Sequence, residues 1–492
     1  MLFNSIDFLL FFPAVCLAYF IMPRRLKTIW LLGCSYFFYM CWEAEYALLL
    51  LASTLITYLS GIGIARSSTE KRKKAVVALS FAINLGILFF FKYFGFAADL
   101  LEGFLGFFGL AFHKPAFDVL LPVGISFYTF QALSYTMDVY RGEVEPEKNF
   151  FKYALFVSFF PQLVAGPIER SKNLLHQVDE DHPFAWDRVR SGLLLMLYGY
   201  FQKVVLASYL AIVVDSAYDQ WEQCTGYQLF WASVCFAFQI YCDFGGYSNI
   251  AVGAAEILGF RLMDNFNKPY FSVSVADFWR RWHISLTSWF RDYLYIPLGG
   301  NRKGRIRKWI NCMTVFLLSG LWHGASLHFV AWGGLNGLYQ IVSEWTAPLR
   351  EGLCKKAGIR TEAFSHKLAR VVCTFFLVDI SWIFFRAQSV REGIGVLSRC
   401  LGLTGGEWLT WGDNLSKLGL EGGEKLNVLL LSMLILFIAD LLSLKGIRFR
   451  EWLKGQGLWF RWLLCYAAVA GILIFGIYGP EYDAQQFIYF QF

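Results

Sequence analysis

The chain is 492 residues long, 57% hydrophobic and 19% aromatic, and only 16% of it is charged, against roughly 25% in ordinary soluble domains. Apolar stretches long enough to cross a bilayer recur from end to end, which excludes a soluble fold and predicts an all-α, polytopic integral membrane protein. The formal net charge of +7 implies no nucleic-acid partner, because Lys and Arg gather in the loops between apolar runs, as cytoplasmic loops do.

In chain order, SIDFLLFFPAVCLAYFIM, residues 5–22, is the first expected span. Arg24, Arg25 and Lys27 follow it and no basic residue precedes it, the reverse of a secretory signal, so it is read as retained. Runs at about 28–42 and 46–65 lead to a second cluster, Arg66 with Lys71, Arg72, Lys73 and Lys74. With both clusters inside, the N-terminus lies outside. The middle runs, at about 75–94, 118–138, 150–165, 190–214 and 227–258, are broken by Pro and Gly. Segments such as LLPVGISFY and FFPQLVAGPIER free backbone groups that lipid cannot satisfy, so they are expected to be re-entrant or cavity-lining. NRKGRIRK, with Arg302, Lys303, Arg305, Arg307 and Lys308, would again be inside. Runs at about 309–322 and 326–347 go out and return to Arg350, Lys355, Lys356 and Arg360. Spans at about 371–388 and 427–444 return to Lys445, Arg448, Arg450 and Lys454, and a last one at about 461–479 leaves the C-terminus outside. The expectation is a single integral-membrane domain over 1–492 with roughly 10 to 12 crossings. The 11 cysteines show no metal-type spacing, so neither a zinc site nor a disulfide framework is indicated.

Two histidines stand in aromatic surroundings: His283 in DFWRRWHISLTSWFRDYLYIPLGG and His323 in FLLSGLWHGASLHFVAW. Hydrocarbon does not solvate an imidazolium, so an imidazole at membrane depth is a functional-site candidate. From Trp309 a helix reaches His323 after a rise of roughly 21 Å, short of the ~30 Å hydrocarbon core. The chain then turns at Gly324-Ala325-Ser326, which places His323 at a helix break at the base of a recess. Gly320 and Gly324 would let another chain or a ligand approach closely. Burial keeps the ring neutral, as a general base requires. The structural alternative is a Trp-flanked histidine satisfied by a neighbouring carbonyl. His328 is read as a weaker candidate or an interfacial residue.

Around His283, Trp279, Trp282, Trp289 and Tyr293 alternate with Arg280, Arg281 and Arg291. That pattern suits a membrane-surface helix with snorkelling arginines. Alternatively the arginines grip an anionic carrier while His283 lines its route inward. Asp243, an acid within the apolar FQIYCDFGGYSNIAVGAAEILG, could fix the tautomer of a histidine, pair with an arginine, or serve the structure alone. His113, His176, His182 and His366 fall in polar, loop-like stretches and are expected to be solvated. No phosphate-binding Gly-rich loop, Ser-His-Asp order, metal-ligand spacing or GxSxG elbow is present, so no hydrolytic nucleophile and no metal are evident.

At these motifs the chain resembles the membrane-bound O-acyltransferase family, in its bacterial alginate O-acetyltransferase-like branch. The resemblance runs through MLFNSIDFLLFF, LPVGISFYTFQALSYTMDVYRG, FFPQLVAGPIER, QIYCDFGGYSNIAVGAAEILGF, DFWRRWHISLTSWFRDYLYIPLGGNRKG, LSGLWHGA and the closing FIYFQF. It implies a ring of helices with re-entrant segments and a central tunnel, in a bacterial cell membrane. It makes His323 the catalytic residue and His283 the second family histidine, nearer the cytoplasmic side. It also implies transfer of an acyl group from a cytoplasmic thioester to a hydroxyl outside. In this branch the donor is acetyl-CoA, a co-substrate rather than a bound cofactor, the acceptor is a polysaccharide, and an SGNH-type extracytoplasmic partner often completes the transfer. On that reading Arg280, Arg281, Arg291, Arg302 and Lys303 hold the donor, while Asp243, Trp279, Trp282, Trp322 and Asn336 support the site or line its passage. Trp or Asn N–H groups, Asn336 included, are candidates for stabilising the oxyanion. Gly245 and Asn249 stand where relatives often carry other small or acidic residues, which leaves the acceptor open. Three other readings compete: a transporter of acylated substrate, an acyltransferase acting on lipid, teichoic acid or protein, and a scaffold that docks the SGNH partner.

Overall fold

Backbone that crosses hydrocarbon must close its hydrogen bonds within the segment. The apolar runs do so as helices, with no strand among the described residues. The structure is a computed structural model that describes residues 1–112, 121–404, 408–409, 418–420 and 423–478. His113, the first residues of the run at 118–138 and the closing FIYFQF lie outside them. The chain packs as two units, Met1–Met196 with Ile250–Met263, and Leu197–Asn249 with Asp264–Phe492.

The first unit opens with α1 (Ile6–Ile21), α2 (Arg24–Met40), α3 (Tyr46–Arg66) and α4 (Glu70–Leu88). Ser5 caps α1 by accepting from the Phe8 N–H, and Thr69 caps α4 by accepting from Arg72. A π-helical turn, Phe89–Tyr93, carries α4 into α5 (Phe94–Phe107). Then come α6 (Ile125–Arg141), α7 (Phe150–Ser158) and the single turns α8 (Phe160–Leu163) and α9 (Ser171–Leu174). The contacts among α3, α4, α6 and α7 use small and hydroxylated residues, as membrane helix interfaces do. Ser53 donates to Asn84 at 2.6 Å, Tyr153 donates to Thr57 at 2.7 Å, and the Tyr135 ring fills the space over Gly61. The Pro-broken FFPQLVAGPIER is buried throughout, as expected for irregular backbone at membrane depth. Glu169, fully buried there, accepts from Asn173 and from the Met263 N–H.

After α9, α10 (Trp186–Tyr200) continues through a π-helical turn, Phe201–Ala207, into α11 (Ser208–Tyr218), and α12 (Gly226–Leu258) follows. The second unit adds α13 (Val275–Arg281), α14 (Ile284–Phe290), α15 (Arg305–His323), α16 (Leu327–Trp345), α17 (Ala347–Lys356) and α18 (Phe364–Arg386). The amphipathic α19 (Val390–Cys400), α20 (Glu424–Leu444), α21 (Phe449–Lys454) and α22 (Leu458–Phe475) complete it. Helices α15 and α16 form a hairpin whose closeness depends on glycine. A Cβ on Gly320 would strike the Phe329 carbonyl, one on Gly333 the Phe316 carbonyl, and one on Gly337 would sit 2.9 Å from the Met313 sulfur.

Among the described residues six stretches are long and apolar enough to span a bilayer: Tyr46–Arg66, Glu70–Phe107, Trp186–Tyr218, Phe364–Arg386, Glu424–Leu444 and Leu458–Phe475. The other expected crossings are helical too, but several are shorter or more polar. α1 has 16 residues, α6 has 17 and α7 has 9, and α15 opens on Arg305, Arg307 and Lys308. Apolar side chains such as Leu430, Leu431, Trp459 and Leu463 face outward, where hydrocarbon is the solvent that suits them. The chain is a multi-pass, all-α membrane protein.

Candidate active site

His323 is the last residue of α15; Gly324 leaves the helix in extended backbone and Ser326 begins the entry into α16. The helix break read from the sequence is therefore present. The glycines flanking it admit the neighbouring helix of the same chain: both Gly320 and Gly324 are closed over by Phe329, through its carbonyl and its ring respectively. His323 is 5% exposed, enclosed by Trp322, Trp332 and Phe385 at ring-centroid separations of 5.0, 5.1 and 5.2 Å.

His283 separates α13 from α14 with φ at +42°, one of two non-glycine residues in the left-handed region among those described. That conformation is uncommon, though histidine tolerates it better than most residues, and surrounding contacts must hold it. Asn265 supplies three of them. Its carbonyl accepts from the Ile284 N–H at 3.0 Å, its Oδ1 accepts from Ser285 at 2.6 Å, and its Nδ2 donates to Ser248 on α12 at 3.0 Å. Phe244 meets the His283 ring edge-on at 4.7 Å, Trp322 lies at 5.9 Å, and His323 itself at 6.4 Å. His283 is 1% exposed, and desolvation holds its pKa below the ordinary imidazole range, leaving the ring neutral. The stretch is thus a pair of short helices with a buried aromatic face, and it brings both histidines into one aromatic cluster.

The other candidates divide. Trp279 donates to Asn336 at 3.2 Å, and Asn336 donates to the Trp332 carbonyl at 2.9 Å, so this pair braces the wall of the chamber. Trp322 touches both histidines. Trp282 packs behind them, stacked on Phe278 and against Trp382. Asp243 pairs with Lys203 from the π-helical turn, both side chains almost fully buried. Beside them Asn249 donates to Gln202 at 2.7 Å. Arg280 and Arg281 pair with Asp277 at 3.8 and 3.2 Å, and Arg291 with Asp292 at 2.8 Å. Arg280, Arg291, Arg302 and Lys303 are exposed and Arg281 is half-buried. These five basic residues therefore lie outside the chamber, toward solvent. His328 is buried and its Nδ1 bonds the Phe384 carbonyl at 3.0 Å, which ties α16 to α18. His182, expected to be solvated, is buried with Nε2 bonded to the Gln177 carbonyl at 2.8 Å; His176 is exposed and His366 half-exposed.

Sequence reasoning missed Lys203, Asn265, Trp332 and Phe385. Lys203 carried the same signal as Asp243, an ionisable residue within an apolar run. Asn265 and the two aromatics carried none, since their neighbours come from distant segments. Two buried imidazoles 6.4 Å apart can take a proton from a bound hydroxyl and return it to a leaving group.

The chain matches the membrane-bound O-acyltransferase family over residues 146–377. It is 36% identical to the probable alginate O-acetylase AlgI of Pseudomonas syringae pv. tomato over 395 residues, 80% of this chain and 73% of the relative. The peptidoglycan O-acetyltransferase of Helicobacter pylori is 32% identical over 464 residues, 87% of this chain and 83% of that protein. The teichoic acid D-alanyltransferase of Bacillus subtilis is 29% identical over 261 residues, 47% and 62% of the two chains.

Proposed function

The chain belongs to the membrane-bound O-acyltransferase family, and we propose that it moves an acetyl group from cytoplasmic acetyl-CoA to a hydroxyl of an extracytoplasmic polysaccharide. The observation that carries this reading is the closeness of His283 and His323, 6.4 Å apart in a chamber walled by aromatic rings. His323 accepts the proton of the attacking hydroxyl as the oxygen bonds to the thioester carbonyl carbon. The tetrahedral intermediate then expels the thiolate, which takes the proton back. His283, its backbone held by Asn265, lines the donor's side of the chamber.

CoA is large and anionic, so it does not enter hydrocarbon; its acetyl group has to be handed over within the protein. The exposed Arg280, Arg291, Arg302 and Lys303 supply positive charge for CoA phosphates at the cytoplasmic face. The excess of Lys and Arg in those loops supports reading that face as cytoplasmic, with both chain ends outside. The acceptor is a glycan, reached directly or through an SGNH-type partner; two of the relatives are named for alginate and for peptidoglycan.

Purified protein in liposomes, given radiolabelled acetyl-CoA and a glycan acceptor, tests the reading. It predicts free CoA thiol and alkali-labile label on the glycan in equal amounts. Label that crosses the bilayer with no thiol released would identify a transporter. Thiol release with the label on lipid alone would move the acceptor to another class.

A further inference from the structure

Attack on a thioester puts negative charge on the carbonyl oxygen, and a donor aimed at that oxygen is commonly the largest electrostatic contribution to such a reaction. The N–H groups around His323 differ in whether they are already committed. Asn336 gives its amide to the Trp332 carbonyl, and Trp279 gives its indole N–H to Asn336. Trp332 is different. It is 0% exposed, and its Nε1–H has no hydrogen-bond partner among the described residues, although a buried indole N–H ordinarily finds one.

Four rings pack around Trp332. Phe385, Trp279 and Trp382 lie at 5.2, 5.6 and 5.8 Å, and His323 stands perpendicular to it, at 87° and 5.1 Å. Phenyl and indole rings carry no lone-pair acceptor. Of these neighbours only His323 is a group that the acyl-transfer reading sets against substrate, so the acceptor assigned to the indole N–H is a substrate atom bound beside the imidazole. We infer that the Trp332 Nε1–H donates to the carbonyl oxygen of the acyl group as it becomes an oxyanion, which makes Trp332 a catalytic residue of the same site. The inference rests on the acyl-transfer reading above.

The step balances. The hydroxyl oxygen forms the new C–O bond while its proton passes to His323, and the carbonyl π pair moves onto the oxygen that Trp332 holds. Collapse restores the carbonyl, breaks the C–S bond, and returns the proton from His323 to the thiolate. Acetyl ester and free thiol leave, with no other reactant consumed.

The test uses the full-length purified protein, acetyl-CoA and a glycan acceptor, with thiol release as the readout. Trp332→Phe keeps an aromatic ring and removes the N–H. Should that variant fold poorly, 3-benzothienylalanine incorporated at position 332 keeps the bicyclic shape and puts sulfur where the N–H was. In either protein kcat is expected to fall roughly 10²–10³-fold, the usual cost of one oxyanion donor. KM for acetyl-CoA should stay within about threefold, because the lost bond belongs to the transition state. A benzothienyl protein with wild-type kcat overturns the inference. His323→Ala, assayed alongside, separates the two readings. If it is inactive while the benzothienyl protein is fully active, only the role of Trp332 falls; if it is fully active, the acyl-transfer mechanism falls with it.

Discussion

Lys203 and Asp243 carry opposite charges where water is scarce, and neither would be tolerated there alone. Residue Asp243 was legible in the sequence as an anomaly, an acid in an apolar run, but its partner was not. Lys203 lies on another helix, and single-sequence periodicity does not pair helices. The geometry makes the pair structural support for the α12 segment that carries Phe244 against His283. Lys203→Met removes the cation beside a buried carboxylate and is expected to cost about 3–5 kcal/mol. The double variant Lys203→Met/Asp243→Leu should recover most of that loss, and thermal unfolding of both in detergent checks it. Equal destabilisation in the single and double variants would mean that the two charges are not coupled. Asn265 shows the same limit of sequence reading: nothing in DNFNKPY announces a residue that holds His283 in a left-handed turn.

Helices α15 and α16 show what element-scale patterning does reveal. Their apolar runs, the basic start at NRKGRIRK and the break after His323 all follow from hydropathy and glycine placement. What occupies the space beside Gly320 and Gly324 does not, because a small residue admits a helix or a ligand equally well; here it admits Phe329. Two adjacent glycines on α16 give a controlled comparison. A Cβ on Gly333 runs into the Phe316 carbonyl, whereas one on Gly334 has only Leu317 at 3.7 Å. Gly333→Ala should therefore destabilise by about 1–3 kcal/mol through overpacking and lower activity by moving α15. Gly334→Ala should be neutral, or slightly stabilising through the better helix propensity of alanine. Melting temperature and turnover of the two variants decide the matter. Equal behaviour would contradict the hairpin packing.

At the scale of the whole molecule, the apolar composition made a multi-pass membrane protein legible at once, and most expected runs fall within a few residues of a helix. The five basic residues assigned to the donor were legible only as charge, and they lie outside the chamber that the histidines share. The chemistry itself depends on a neutral imidazole at position 323 taking a hydroxyl proton. Thiol release from acetyl-CoA by purified, folded His323→Ala, in the presence of a glycan acceptor, tests this most directly. The account predicts a loss of at least about 10²-fold, the lower range for general-base catalysis, with the melting temperature held; release at the wild-type rate would contradict it.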